Sequence, residues 1–280
     1  MPTMDSQRGA VQIAGSVIME QAPMRVLILG GTTEASSLAH LLAADARFET
    51  TLSLAGRTSK PRTQPVRTRI GGFGGADGLA AWLAQEAIEA VIDATHPYAD
   101  QISSNAVTAC ARLAIPLVTI LRPAWRPEPG DQWLTVANAE AAADALGLEP
   151  RRVFLSLGRL ELGAFAASPP HHYLARTVDP PESVVLPRDI RLIFDRGPFD
   201  EPAETALLRS EKIDVLVSKN SGGAATYPKI VAARKLGIPV VMIARPHKSH
   251  GHVVNNAEAA ARWLEEQLAH RAIPGSARGV

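Results

Sequence analysis

Cysteine occurs once in the 280 residues, at Cys110. An internal disulfide cannot form, which excludes a disulfide-stapled secreted fold and makes a reducing cytoplasm the expected setting. No uninterrupted apolar run approaches the ~20 residues needed to cross a bilayer, so no membrane partner is expected. Neither sign of charge is in excess. Lys+Arg 29 against Asp+Glu 28 leaves +1, which argues against a basic nucleic-acid binder and against an acidic tail protein. Familiar catalytic signatures are missing too: there is no Tyr-x-x-x-Lys pair, no Gly-x-Ser-x-Gly elbow, no Walker A loop and no Cys-x-x-Cys. Lysine is scarce, with six against 23 arginines. A GC-rich genome produces such a bias, and so does a need for guanidinium forks that hold carboxylates or phosphates.

What is present is an alternation of short apolar runs with helical patterns, the signature of a parallel α/β fold. Strands are expected at Val26–Leu29, Thr50–Leu54, Val66–Ile70, Ala90–Ala94 and Pro116–Leu121. Helices are expected at Glu34–Ala44, Leu79–Ala87 and Ile102–Leu113. A proline- and arginine-rich connector, Arg122–Asp131, follows, and the pattern restarts. The second half holds strands at Trp133–Val136, Val153–Leu157, His172–Val178, Ile190–Phe194, Val215–Ser218 and Val240–Ala244. Its helices are Ala139–Leu146, Pro202–Glu211, Tyr227–Leu236 and an amphipathic Ala257–His270. Residues 1–23 contain no secretory pattern and are expected to be a disordered N-terminal extension or the product of an upstream start codon. Residues 271–280 read as a frayed tail.

The halves are related. A shift of 123 positions lays Leu113–Pro123 on Leu236–Pro246 with seven of eleven residues identical and no gap. The same shift places Thr95-His96 on Ser218-Lys219. The expected fold is therefore two Rossmann-like domains with mostly parallel sheets, duplicated, at 24–130 and 131–270. Ligands in such sheets sit beyond the carboxyl ends of the strands, so the two domains are expected to face one cleft. The sequence leaves open whether strands cross between the halves.

Gly30-Gly31-Thr32-Thr33-Glu34 joins the first strand to the first helix. Glycines let a phosphate approach the backbone, the helix N-terminus offers free N–H groups, and the threonines add hydroxyls. A tight, ordinarily capped turn is the bland alternative. The end of the second strand carries no acid for a ribose 2′-OH but has Arg57, with Ser59 and Lys60 nearby. That favours NADPH over NADH. Gly71-Gly72-Phe73-Gly74-Gly75 suggests backbone close to a ligand, through Gly72 and Gly74, or a plain flexible turn.

Thr95, His96 and Tyr98 end the fourth strand, where they suit the nicotinamide and reacting substrate. His96 and Tyr98 are the catalytic candidates. The matching turn, Lys219-Asn220-Ser221-Gly222-Gly223, carries one cation for a substrate carboxylate. Arg122, Arg159 and Arg245 end other strands and add forks for a polyanion. His247, His250 and His252 cluster, but no Cys or acid in that loop completes a metal set; no metal is expected.

Taken together, Gly30-Gly31-Thr32-x-Glu34-Ala35, Gly71–Gly75, Asp93-Ala94-Thr95-His96-Pro97-Tyr98-Ala99, Leu157-Gly158-Arg159, Ser218–Gly223 and Ile238–Pro246 resemble the precorrin-6A reductase family of cobalamin biosynthesis. The likeness runs from about Met24 to Pro246. It implies NADPH-dependent reduction of one double bond in a corrin precursor, giving precorrin-6B. It also implies two Rossmann-like domains with the cofactor between them, a tetrapyrrole substrate, and transient contact with neighbouring pathway enzymes. Some family members act on the cobalt-containing macrocycle instead. A non-catalytic NADPH-binding sensor would keep the same glycine turn.

Overall fold

The computed structural model describes residues 22–56, 62–167 and 170–271. In the first half, β1 (Met24–Leu29), β2 (Phe48–Leu54), β3 (Arg67–Ile70), β4 (Ala90–Asp93) and β5 (Leu117–Ile120) alternate with α1 (Thr33–Ala43), α2 (Gly75–Gln85) and α3 (Asp100–Leu113). The second half opens with β6 (Trp133–Val136) and α4 (Ala139–Asp144). It continues with β7 (Arg152–Ser156), β8 (His172–Thr177), β9 (Ile190–Phe194), α5 (Glu201–Ser210), β10 (Val215–Lys219), α6 (Pro228–Leu236) and β11 (Val240–Ile243). The chain closes with β12 (His252–Val254) and α7 (Ala257–Arg271).

The sequence dictates these elements in ordinary ways. β1 buries Val26, Leu27, Ile28 and Leu29, the continuous apolar run of a strand covered on both faces. Thr32 caps α1 by accepting from the Ala35 amide at 3.2 Å, and Ala35, Leu38, Ala39 and Leu42 form its buried stripe. Asp200 caps α5 in the same manner.

The two sheets have the same order. One runs β3-β2-β1-β4-β5-β12 and the other β9-β8-β7-β10-β11-β6, and every pair of neighbours is parallel. This is the doubly wound Rossmann order twice over. The expected α/β fold with two such sheets is what forms.

The sixth strands are exchanged. β6 follows the first five strands in sequence yet pairs with β11 of the second sheet, Trp133 opposite Val240. β12 follows the second set yet pairs with β5, His252 opposite Val118. The helices go with their strands. Ala139, Ala142 and Ala143 of α4 pack into the second core, whereas Ala257, Ala260, Trp263 and Leu264 of α7 complete the first. A division of the chain at 130/131 therefore does not follow the sheets, because 252–271 belongs with the first.

Two connectors, from β5 to β6 and from β11 to β12, cross between the domains, and polar contacts fasten the crossing. Arg245 donates to the carbonyls of Asn220 (2.7 Å), Arg122 (2.8 Å) and Pro123 (3.2 Å). The Asn220 side chain clamps Trp125, accepting from its amide at 2.8 Å and donating to its carbonyl at 2.9 Å. Among the described residues no helix is long and apolar enough to cross a membrane.

Candidate functional site

The parallel order puts the carboxyl ends of β1 and β4 beside each other, and likewise β7 and β10. These are the switch points where such sheets bind ligands. A cavity of about 450 Å³ opens at the second of them. Its walls come from the ends of β7 (Ser156), β8 (Arg176, Thr177) and β10 (Lys219), from the Gly158–Glu161 turn, and from His96, Tyr98 and Ala99 of the first domain. A smaller recess, lined by Thr32, Glu34, Thr95, Pro97, Ile120 and Arg122, lies at the first switch point.

Arg122 ties the two places together. Its guanidinium donates to Glu34 Oε2 at 2.6 Å and to the Ser221 carbonyl at 2.6 Å. The glycine turn of the first domain and the Lys219–Gly223 turn of the second therefore stand on the same side of the molecule. Burial alone would raise the Glu34 carboxyl pKa, but the Arg122 hydrogen bond and charge outweigh it and hold it below the usual range.

In the first domain, Gly30 packs so closely that a methyl group on it would stand 2.6 Å from Leu52 Cδ1. Gly31 has φ +120° and open space on its side-chain side. The Thr32 hydroxyl is already engaged, donating to the Ala94 carbonyl at 2.7 Å and capping α1. The Thr33 hydroxyl donates to Glu34 Oε2 at 3.1 Å. Thr95 is occupied as well. Its hydroxyl bonds Asp93 Oδ1 at 2.6 Å, and Lys248 Nζ reaches the same hydroxyl at 3.0 Å and Asp93 Oδ2 at 3.3 Å. Arg57 lies outside the described residues. Gly74 caps α2 in the left-handed conformation, and the Gly72 carbonyl accepts from Arg69 at 3.1 Å.

The catalytic candidates meet at the cavity. Tyr98 N–H donates to His96 Nδ1 at 3.3 Å, which leaves the ring proton of a neutral imidazole on Nε2. Burial, then the charges of Arg122, Lys219, Lys248 and Arg245, push the His96 pKa down to about 3. At neutral pH His96 is thus a hydrogen-bonding group and not a cationic acid. The Tyr98 hydroxyl is fully used across the domain boundary: it donates to the Ile243 carbonyl at 2.5 Å and accepts from the Asn220 amide at 2.8 Å. Burial pushes its pKa up to about 12.

The second-domain residues divide. Lys219, Ser221 and Arg159 line the cavity, whereas Asn220, Gly222, Gly223 and Arg245 line neither the cavity nor the recess. Lys219 pairs with Glu161 and lies 4.8 Å from the Tyr98 ring centre. Gly222, at φ +71°, passes against the Pro123 carbonyl, and Gly223 lies against the Arg122 guanidinium. Four residues passed over in the sequence join the picture. Glu161 holds Lys219, and Lys248 anchors the returning connector to β4. Lys229 shares the cavity wall. Arg69 sits over the Phe73 ring at 3.8 Å and donates to Ser53 Oγ at 2.9 Å, near the end of β2. Only Arg69 had a legible cue, two positions ahead of the glycine run.

Comparison with known proteins decides what this arrangement belongs to. A family model described as precorrin-6x reductase CbiJ/CobK matches residues 25–265. The chain belongs to the precorrin-6x reductase family. It is 51% identical over 244 residues to a protein of Sinorhizobium sp named precorrin-6A reductase, covering 86% of this chain and 94% of that one. A solved structure titled CobK precorrin-6A reductase superposes with a TM-score of 0.83 at 47% identity, covering 92% of this chain and all of that chain. The cobalt-precorrin-6A reductase of Salmonella typhimurium is 31% identical over 232 residues, 79% of this chain and 87% of that one. The β4 and β10 turns, which carry the specific part of the family likeness, are the ones the fold brings to the cavity mouth.

Proposed function

We propose that this chain reduces one double bond of precorrin-6A, with NADPH as donor, giving precorrin-6B in cobalamin biosynthesis. The observation that carries the reading is the Glu34–Arg122–Ser221 bridge, which sets a dinucleotide-type glycine turn and a cavity lined by both cations and carboxylates on one face. The residues suit NADPH. Gly31 leaves room above the turn for a pyrophosphate, and Arg69 supplies a guanidinium near the end of β2, on the side where this fold places the ribose. When bound, NADPH supplies the hydride.

The chain's own residues bind and orient. Lys219 and Arg159 hold peripheral carboxylates of the macrocycle. His96, neutral with a proton on Nε2, donates a hydrogen bond into the cavity. The Tyr98 hydroxyl is one of several contacts, with Arg122 and Arg245, that hold the two domains together; alignment of donor and acceptor by the site as a whole is worth about 7–11 kcal/mol. The completing proton comes from water or a macrocycle nitrogen, because His96 holds none to spare at neutral pH. The single cysteine, buried in α3, fits a cytoplasmic setting.

The metal-free substrate is preferred to the cobalt macrocycle because the higher identity is to the protein named for the former. The test is anaerobic mixing of protein, NADPH and precorrin-6A while the absorbance of both is followed. Stoichiometric loss of the two is expected. Binding of NADPH without oxidation would support a sensor instead. Arg57→Ala should weaken NADPH far more than NADH; equal loss would remove that residue from the 2′-phosphate site.

A further inference from the structure

The exchange of β12 does more than complete a sheet. To reach β5, the connector after β11 passes the end of β4 and brings a residue of the second half to the switch point of the first domain. That residue is Lys248, 6% exposed. Its ammonium lies 3.0 Å from the Thr95 hydroxyl, 3.4 Å from the Thr95 carbonyl and 3.3 Å from Asp93 Oδ2. Asp93 Oδ1 in turn accepts from the Thr95 amide at 3.0 Å and from its hydroxyl at 2.6 Å. One residue on, the Ser249 amide donates to Asp100 Oδ1 at 3.3 Å, at the start of α3.

The same connector is fastened at its other end to the turn of the second domain. Arg245 donates to the Asn220 carbonyl at 2.7 Å, one residue past Lys219. Arg245 and Lys248 are three positions apart, a reach of at most about 11 Å. One short piece of chain, held at both ends, thus joins the turn that carries Lys219 to the turn that carries Thr95 and His96.

The charges around Lys248 call for no missing ligand. Asp93 and Asp100 attract it, and Arg122, itself paired with Glu34, is the other cation that bears on it. Stability is not a sufficient reason for the pair either, since apolar residues of similar volume in place of a buried ion pair are often neutral or stabilising. What the ammonium supplies is direction. Each of these contacts falls on the Asp93–Thr95 turn, and two fall on Thr95, which lines the recess of the first domain and leads into His96 at the cavity wall.

We propose that residues 245–249 are a strap that sets the β4 turn against the β10 turn, and that Lys248 is a positioning residue for hydride transfer, acting through Thr95 and His96. The proposal rests on the reading that nicotinamide and macrocycle meet between these turns.

The test is Lys248→Met combined with Asp93→Asn, so that neither buried charge is stranded. Reduction of precorrin-6A is followed in a single turnover by its absorbance, with NADPH saturating and enzyme raised until the rate constant reaches a plateau. The plateau reports alignment and is indifferent to a fraction of unfolded molecules, whereas the enzyme concentration that reaches it reports affinity. The plateau should fall ten-fold or more. Affinities for precorrin-6A and NADPH should stay within three-fold, and Tm should stay close to that of wild type. A plateau within two-fold of wild type overturns the proposal and leaves the pair a structural element. A ten-fold loss of either affinity also overturns it and makes the pair part of a binding site. Wild-type protein that transfers no hydride is a different failure, of the functional reading, and is seen before any variant is made. Should the double variant not fold, Lys248→Arg, which keeps the charge but changes its reach, is judged by the same plateau and affinities.

Discussion

Gly222 stands where the connectors cross, and Gly222→Ala tests whether that crossing holds the domains. Gly222 has φ +71°, and a methyl group on it would overlap the Pro123 carbonyl oxygen and the Arg245 terminal nitrogen, 3.1 Å from the Pro123 carbonyl carbon. The left-handed conformation alone costs an alanine about 1–2 kcal/mol. Forcing a methyl group into a filled space adds about 1–3 kcal/mol, and here the obstacle is backbone, which yields less than a flexible side chain. The expected loss is therefore about 2–5 kcal/mol, the sum of the two. Gly237 supplies the control. It has φ +67° with nothing within 4 Å of the added atom, so Gly237→Ala should lose only the conformational part, about 1–2 kcal/mol. Urea unfolding of the two variants beside wild type gives the difference directly. Equal losses would show that the crossing is loose, and would remove Pro123 and Arg245 from the account of domain orientation.

The other predictions concern groups near the same boundary. His96 has a folded pKa of about 3 against an ordinary 6.5; its contribution to stability is complete above pH 6.5 and is lost as pH falls toward 3. His96→Gln should flatten the acid limb between those values by up to one proton, about 1.4 kcal/mol per pH unit, measured as urea midpoints at pH 6.5, 5.5 and 4.5; an unchanged slope counts against the neutral, half-buried imidazole. Tyr98→Phe removes both bonds of the hydroxyl, but the Asn220 amide still donates to the Ile243 carbonyl at 3.2 Å, so the variant should cost only about 0.5–1.5 kcal/mol while lowering turnover less than ten-fold. A thousand-fold loss of turnover would instead make the hydroxyl a catalytic group. Lys248→Met strands buried Asp93 and should cost about 3–5 kcal/mol; adding Asp93→Asn should restore most of it, and a double variant no better than the single would contradict the pairing.

Much of this was legible beforehand, for physical reasons that stop at identifiable residues. Strands buried on both faces announce themselves as apolar runs, so β1, β4, β7, β10 and β11 were found within a residue or two of their bounds. The repeat around Arg122-Pro123 and Arg245-Pro246 pointed to two equivalent sheets. β12 was not found, because three residues led by an exposed histidine make no pattern. Nor was the exchange of β6 and β12, since each follows an Arg-Pro turn in the same way and the choice of sheet is made by the path of the connectors. An arginine at a strand end suits a carboxylate or a carbonyl equally. Arg245 is spent on carbonyls, and Arg122 on a carbonyl and Glu34. Lys229, one residue after Pro228, reads as an ordinary surface lysine until the fold closes around it. Gly222 and Gly223 looked like ligand-facing glycines, but the chain they admit is the connector itself.

The account turns on the glycine turn and the second-domain cavity acting together, so that hydride passes directly between two bound molecules. The measurement closest to that claim is the mass of the reduced macrocycle formed with NADPH carrying deuterium at C4, tested separately on each face. One face should deliver one deuterium to a macrocycle carbon and the other none. Product formed without deuterium from either label, or no product at all, would contradict the account.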